Sequence, residues 1–196
     1  MPRRDRPIPL AYLLTFHTYG TWLHGRAPGS VDKQHNQFGA PFLPADPSQE
    51  AEMRERMSET AFTLDAPRRK VVRATVQEVS AYRGWPILAL HVRNTHIHLV
   101  VRGHADPDKM LDDYKAYATR RLKEAGFDHQ RSHRWTPGGS TEFLWRPDQV
   151  VAAVRYVVDR QGEPMEVYEA PFDEAVWYGP LSSPEKTSKP QSEPEA

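Results

Sequence analysis

Two imidazoles spaced one residue apart on an extended chain are a means of holding a divalent cation. The run Asn94-Thr95-His96-Ile97-His98-Leu99-Val100-Val101 offers such a pair. Side chains alternate along a strand, so His96 and His98 leave one face while Ile97, Leu99 and Val101 leave the other. Their backbones stand about 7 Å apart, near enough for both rings to reach one ion. With nine histidines in the chain, a bare His-x-His triplet is weak evidence, and two histidines in a hairpin are its ordinary explanation. The clean apolar alternation around the pair is what favours a site. There is no cysteine, so any further ligand must be histidine, carboxylate or amide.

The second candidate is a tyrosine in Val151-Ala152-Ala153-Val154-Arg155-Tyr156-Val157-Val158-Asp159-Arg160-Gln161. Tyr156 has apolar neighbours, the usual setting of a core tyrosine with its hydroxyl at the edge. Asp159 and Gln161 follow within about one and a half helical turns, and either supplies an oxygen ligand. Asp159, at i+3, lies nearer the tyrosine's own face. Tyr114 and Tyr117 are rival tyrosines, but Met110, Leu111, Ala118 and Leu122 recur around them at helical spacing, which reads as packing or a DNA-facing side. No spacing singles out His17, His91, His129 or His133.

Charge gives a third feature. Lysine plus arginine balance aspartate plus glutamate at 26 each, so no global basic signature points to nucleic acid. Locally, Lys115, Arg120, Arg121, Lys123, Arg131 and Arg134 outnumber Glu124 and Asp128. Such a strip can meet phosphates, although a solvated helix face is the commoner meaning of the same pattern. Trp135 and Trp145 could stack on unpaired bases. For Trp145, core packing is the expectation.

These residues need elements to carry them. Leu10–Thr18 reads as a first strand, followed by a Gly- and Pro-rich stretch over 20–47 and a short helix near 48–58. Pro67 opens a helix to about Tyr82, and Gly84 closes it. Ile87–Arg93 and Thr95–Arg102 form a tight antiparallel hairpin. A second long helix spans Asp108–Ala125, a short strand Thr141–Trp145, and a third long helix about Asp148–Arg160. The order predicts an α+β fold, an antiparallel sheet with helices packed on it in a ferredoxin-like sandwich. One domain is expected over 1–179, with 20–66 as a loop-rich insertion and 180–196 as a disordered tail of Ser, Pro, Glu and Lys. No stretch is apolar enough to span a membrane or to serve as a signal peptide, so a cytoplasmic protein is expected.

His96-Ile97-His98, Tyr114-Lys115-Ala116-Tyr117, Phe143-Leu144-Trp145 and Arg155-Tyr156-Val157-Val158, in this order, resemble the REP-associated tyrosine transposases and their small single-tyrosine insertion-sequence relatives of the His-hydrophobic-His class. The resemblance covers roughly Leu10 to Glu166 by element order. It implies that His96 and His98 bind Mg²⁺ or Mn²⁺, that Tyr156 is the nucleophile, and that single-stranded or hairpin DNA is cut and rejoined. The protein would act as a monomer or a homodimer. The family usually places an amide ligand four residues after its tyrosine. That position is Arg160 here, and Gln161 would point about 100° away in a regular helix. Gln161, returned by unwinding before Gly162, and Asp159 are both candidates for the third ligand. A non-catalytic single-stranded DNA- or RNA-binding module is the alternative reading, since such sheets also bind strands without cutting them. A phosphoesterase with paired His-x-Thr/Ser strands fits poorly, and a plain zinc hydrolase lacks an accompanying carboxylate cluster.

Overall fold

The structure, a computed structural model, describes residues 7–23 and 46–181. The expected tail, apart from its first two residues, and most of the Gly- and Pro-rich stretch lie outside the described residues. Five strands form one antiparallel sheet in the order β4-β1-β3-β2-β5. They are β1 (Ala11–His17), β2 (Ile87–Val92), β3 (His96–Val101), β4 (Ser140–Leu144) and β5 (Glu166–Glu169). The helices are α1 (Pro47–Glu55), α2 (Ala66–Arg83), α3 (Pro107–Glu124), α4 (Pro147–Asp159) and α5 (Glu174–Tyr178). This is the expected α+β architecture, with one edge strand and one short helix more. Strand β5 was not foreseen because four residues after Pro164 carry too little alternation to stand out. It forms by pairing with β2, Leu90 opposite Tyr168.

Capping residues set the helix limits. Asp65 accepts the Arg68 N–H at 3.0 Å at the start of α2, a bond worth about 1 kcal/mol at an N-cap. Gly84 ends that helix with φ at +65°, the left-handed conformation glycine adopts without steric cost.

The sheet buries both faces. On one side Leu14, Phe16, Leu90, Val92, Ile97 and Leu99 pack against Val72, Val76, Leu111 and Leu122 of α2 and α3. On the other, Ala11, Ala89, Val100 and Leu144 meet Val150, Ala153, Val154 and Val157 of α4. The α4 face of β3 is therefore apolar at Val100 and becomes imidazole at His98 and His96. Apolar cover ends where helix α4 ends, so the polar part of the sheet lies beside the last turn of that helix. Among the described residues no helix is long and apolar enough to cross a membrane.

Candidate functional site

Strand register gathers the histidines. His17 of β1 lies opposite His96, Thr15 opposite His98, and His91 of β2 opposite His98. All share the α4 face, since partners directly across a ladder point the same way. The His96 and His98 ring centroids are 4.8 Å apart, and His17 lies 5.5 Å from His96. Trp22 packs on His17 at 4.9 Å.

Hydroxyl groups orient the two central rings. Thr15 Oγ1 is 2.8 Å from His98 Nδ1, and Thr95 Oγ1 is 3.0 Å from His96 Nδ1. With Nδ1 held in each ring, Nε2 is the nitrogen left for a ligand, the arrangement that outer-shell partners impose at metal-binding histidines. Burial keeps the imidazoles neutral. His98 is lowered to about 3 by burial, then by the neighbouring His96 and His17, while hydrogen bonding to Gln161 opposes the shift. His96 is lowered to about 4 by burial and by Arg93, again opposed by Gln161. His17 falls to about 4 through burial, His96 and Lys115. Neutral rings offer lone pairs to a cation without first losing a proton.

Helix α4 brings up the tyrosine and the amide. The Tyr156 ring lies 5.5 Å from that of His98, nearly edge-on at 74°, and the residue is 41% exposed. A phosphate group could therefore approach it from solvent. The regular helix stops at Asp159, Arg160 leaves helical geometry at φ −110°, and Gly162 follows at φ +74°. Gln161 is thus outside the helix, and its side chain folds back to donate from Nε2 to the Tyr156 carbonyl at 3.1 Å. The same amide opposes the effect of burial on His96 and His98, raising both. Asp159 is exposed, and among the described residues it makes no ion pair or hydrogen bond to either ring. Gln161, and not Asp159, is the side chain that acts on the two imidazoles. Among the described residues no group of three or more His, Cys, Asp or Glu could hold a metal.

The other sequence candidates are placed differently from expectation. Lys115 is buried, donates to the carbonyls of Thr136 (2.9 Å) and Gly138, and sits 5.9 Å from the Phe16 ring. Arg134 is 2% exposed and donates to the Arg131 and Asp128 carbonyls. Arg121 pairs with Glu78 and Glu124, Arg131 with Glu59, and Arg120 lies over the Tyr117 ring at 4.5 Å. Lys123 is exposed. The basic strip is therefore not one open face, because most of its charge is used inside the protein. The two tryptophans exchange roles. Trp135 packs on Phe16 and donates Nε1 to the Lys115 carbonyl and Thr119. Trp145, expected in the core, is 46% exposed and stacks with Phe143. Tyr114 is fully buried with its hydroxyl 2.7 Å from Ser80, and Tyr117 is also buried. Neither is open to solvent as Tyr156 is. Sequence reasoning left His17, Thr15 and His91 unassigned, since the first two depend on the register of β1 with the distant strand β3, and His91 on the register within the β2–β3 hairpin.

Residues 56–152 match the family described as "Transposase IS200 like", a span that holds His96 and His98 and ends within α4 before Tyr156. No curated protein matches the chain. A solved REP-associated tyrosine transposase bound to a REP hairpin is similar at 12% identity with a TM-score of 0.43, covering 82% of this chain and 71% of that one.

Proposed function

We propose, from the match of residues 56–152 to the IS200-like transposase family, that this chain is a transposase of that kind, which cuts and rejoins single-stranded, hairpin-containing DNA with Tyr156 as nucleophile. The observation that carries the reading is the meeting of three side chains from two elements, the strand β3 and the helix α4. Tyr156 of α4 stands 5.5 Å, ring to ring, from His98, which stands 4.8 Å from His96.

The Tyr156 hydroxyl attacks phosphorus and forms a bond from phenolic oxygen to the 5′ phosphate. The bond to the 3′ oxygen breaks, and that oxygen leaves as a hydroxyl after taking up a proton. The phosphodiester energy is kept in the tyrosyl link, so a 3′ hydroxyl can reverse the step and rejoin the strand. A phenol of pKa near 10 is a poor nucleophile unaided. The half-exposed position of Tyr156 lets DNA approach, while the buried base of its helix keeps the ring over His98.

The donor set fits Mg²⁺ or Mn²⁺. His96 and His98 have Nδ1 satisfied by hydroxyls, and Gln161 supplies an amide beside both. When bound, such an ion polarises the scissile phosphate and offsets charge developing on its oxygens. This chain's own residues hold the rings neutral, fix their direction and bring the tyrosine alongside.

The test is a labelled hairpin with single-stranded flanks, incubated with Mn²⁺ and resolved in SDS. Wild type should give a protein–DNA adduct that EDTA abolishes. Binding without adduct, under either ion, would favour the non-catalytic strand-binding module.

A further inference from the structure

His91 is fully buried beneath the last turn of α4. Its Nδ1 lies 3.0 Å from the Val157 carbonyl, and its Nε2 lies 3.2 Å from the Met165 N–H. A carbonyl only accepts and a backbone amide only donates. Nδ1 therefore carries the proton and Nε2 is bare, which fixes one neutral tautomer with both ring nitrogens satisfied. A ring so engaged has no lone pair left for a cation.

What it holds is informative. Val157 and Met165 bracket the turn where α4 unwinds, and inside that turn lie Arg160, Gln161 and Gly162. One rigid ring thus grips the turn at both ends. Arg93 adds a tie from the same side, donating to the Glu163 carbonyl at 3.1 Å. Gln161 in turn donates to the Tyr156 carbonyl at 3.1 Å, so the position of the amide and that of the tyrosine are mechanically joined.

We infer that His91 is a positioning residue, a clasp that fixes the turn 158–164 and so sets where Gln161 and Tyr156 stand over His98. Its metal-related consequence rests on the function proposed above; the clasp itself does not. A turn held from beneath can present Gln161 where a continuing helix would turn it away by about 100°.

The test compares full-length His91→Asn with wild type and with Val76→Ala, a truncation in the opposite core layer. Asparagine keeps a donor near the Val157 carbonyl and loses the acceptor for Met165. His91→Gln, which reaches further, serves if asparagine prevents folding. Backbone hydrogen exchange over 158–165 is read first, then Mn²⁺ affinity without DNA. The expected result is at least tenfold faster exchange confined to that turn, with Mn²⁺ affinity about tenfold weaker, as for loss of an outer-shell partner. Val76→Ala should change neither, although it lowers overall stability. Wild-type protection of the turn in the His91 variants, or equal loosening by Val76→Ala, would overturn the inference. If wild type binds no Mn²⁺ while the His91 variant still loosens the turn, the clasp stands and the metal reading falls.

Discussion

Replacing Thr15 by valine removes a hydroxyl while keeping the β-branched shape that suits a strand. The hydroxyl is the 2.8 Å partner of His98 Nδ1, and His98 is only 6% exposed, so water does not readily replace it. Two costs follow. Leaving a buried polar atom without a partner destabilises a fold by about 1–3 kcal/mol. The ring also loses the contact that directs Nε2 outward, and loss of such a partner weakens metal binding by roughly 10- to 100-fold. The lower end of that range equals about 1.4 kcal/mol. The assay is Mn²⁺ titration of the full chain, followed by the electron paramagnetic resonance of the free ion, beside thermal unfolding in EDTA. Thr15→Ser keeps the hydroxyl and should recover most of the affinity at similar stability. A folded Thr15→Val protein with affinity within about twofold of wild type would refute the reasoning that Thr15 orients His98.

Tyr114→Phe removes the buried bond to Ser80 and should cost about 1 kcal/mol in unfolding experiments, yet leave adduct formation on hairpin DNA intact; loss of adduct at full folding would count against Tyr156. His17, His96 and His98 have folded pKa values near 4, 4 and 3, below the ordinary 6.5. The unfolded chain therefore binds more protons below pH 6.5, and stability present above that pH is lost as pH falls toward 4. Thermal unfolding in EDTA between pH 7 and 4 should show this decline, shallower in His98→Gln; equal slopes would contradict the assignment. Lys115→Met should lower the unfolding temperature by releasing the loop carbonyls of Thr136 and Gly138, while the salt dependence of DNA binding stays unchanged. A flatter salt slope would place Lys115 at a phosphate instead.

Local periodicity made part of this site legible. The two-residue repeat puts His96 and His98 on one face, and the apolar set Ile97, Leu99 and Val101 on the other, where the structure has them. The helix bearing Tyr156 was equally readable from its apolar spacing and from Pro147. Other features depend on where periodicity stops or on partners distant in sequence. Gln161 reaches the rings because α4 ends at Asp159, and helical spacing does not encode the position of its last hydrogen bond; Gly162 was the signal. His17 enters through cross-strand register with His96, which no local pattern contains. Trp135, a candidate for stacking on bases, instead finds two acceptors for its indole on α3. Trp145 follows the edge strand β4 and stacks with the exposed Phe143 rather than entering the core. The basic strip read as a surface because its counter-charges, Glu59 and Glu78, lie far away in sequence.

The most direct test of the central claim is to identify the residue joined to DNA. The adduct formed on a hairpin substrate in Mn²⁺ would be digested with protease and nuclease and analysed by mass spectrometry. The account predicts a nucleotide linked through its 5′ phosphate to Tyr156, and no adduct from Tyr156→Phe, which removes only a hydroxyl from a side chain 41% exposed. A link at Tyr114, Tyr117 or any other residue, or undiminished adduct from Tyr156→Phe, would contradict it.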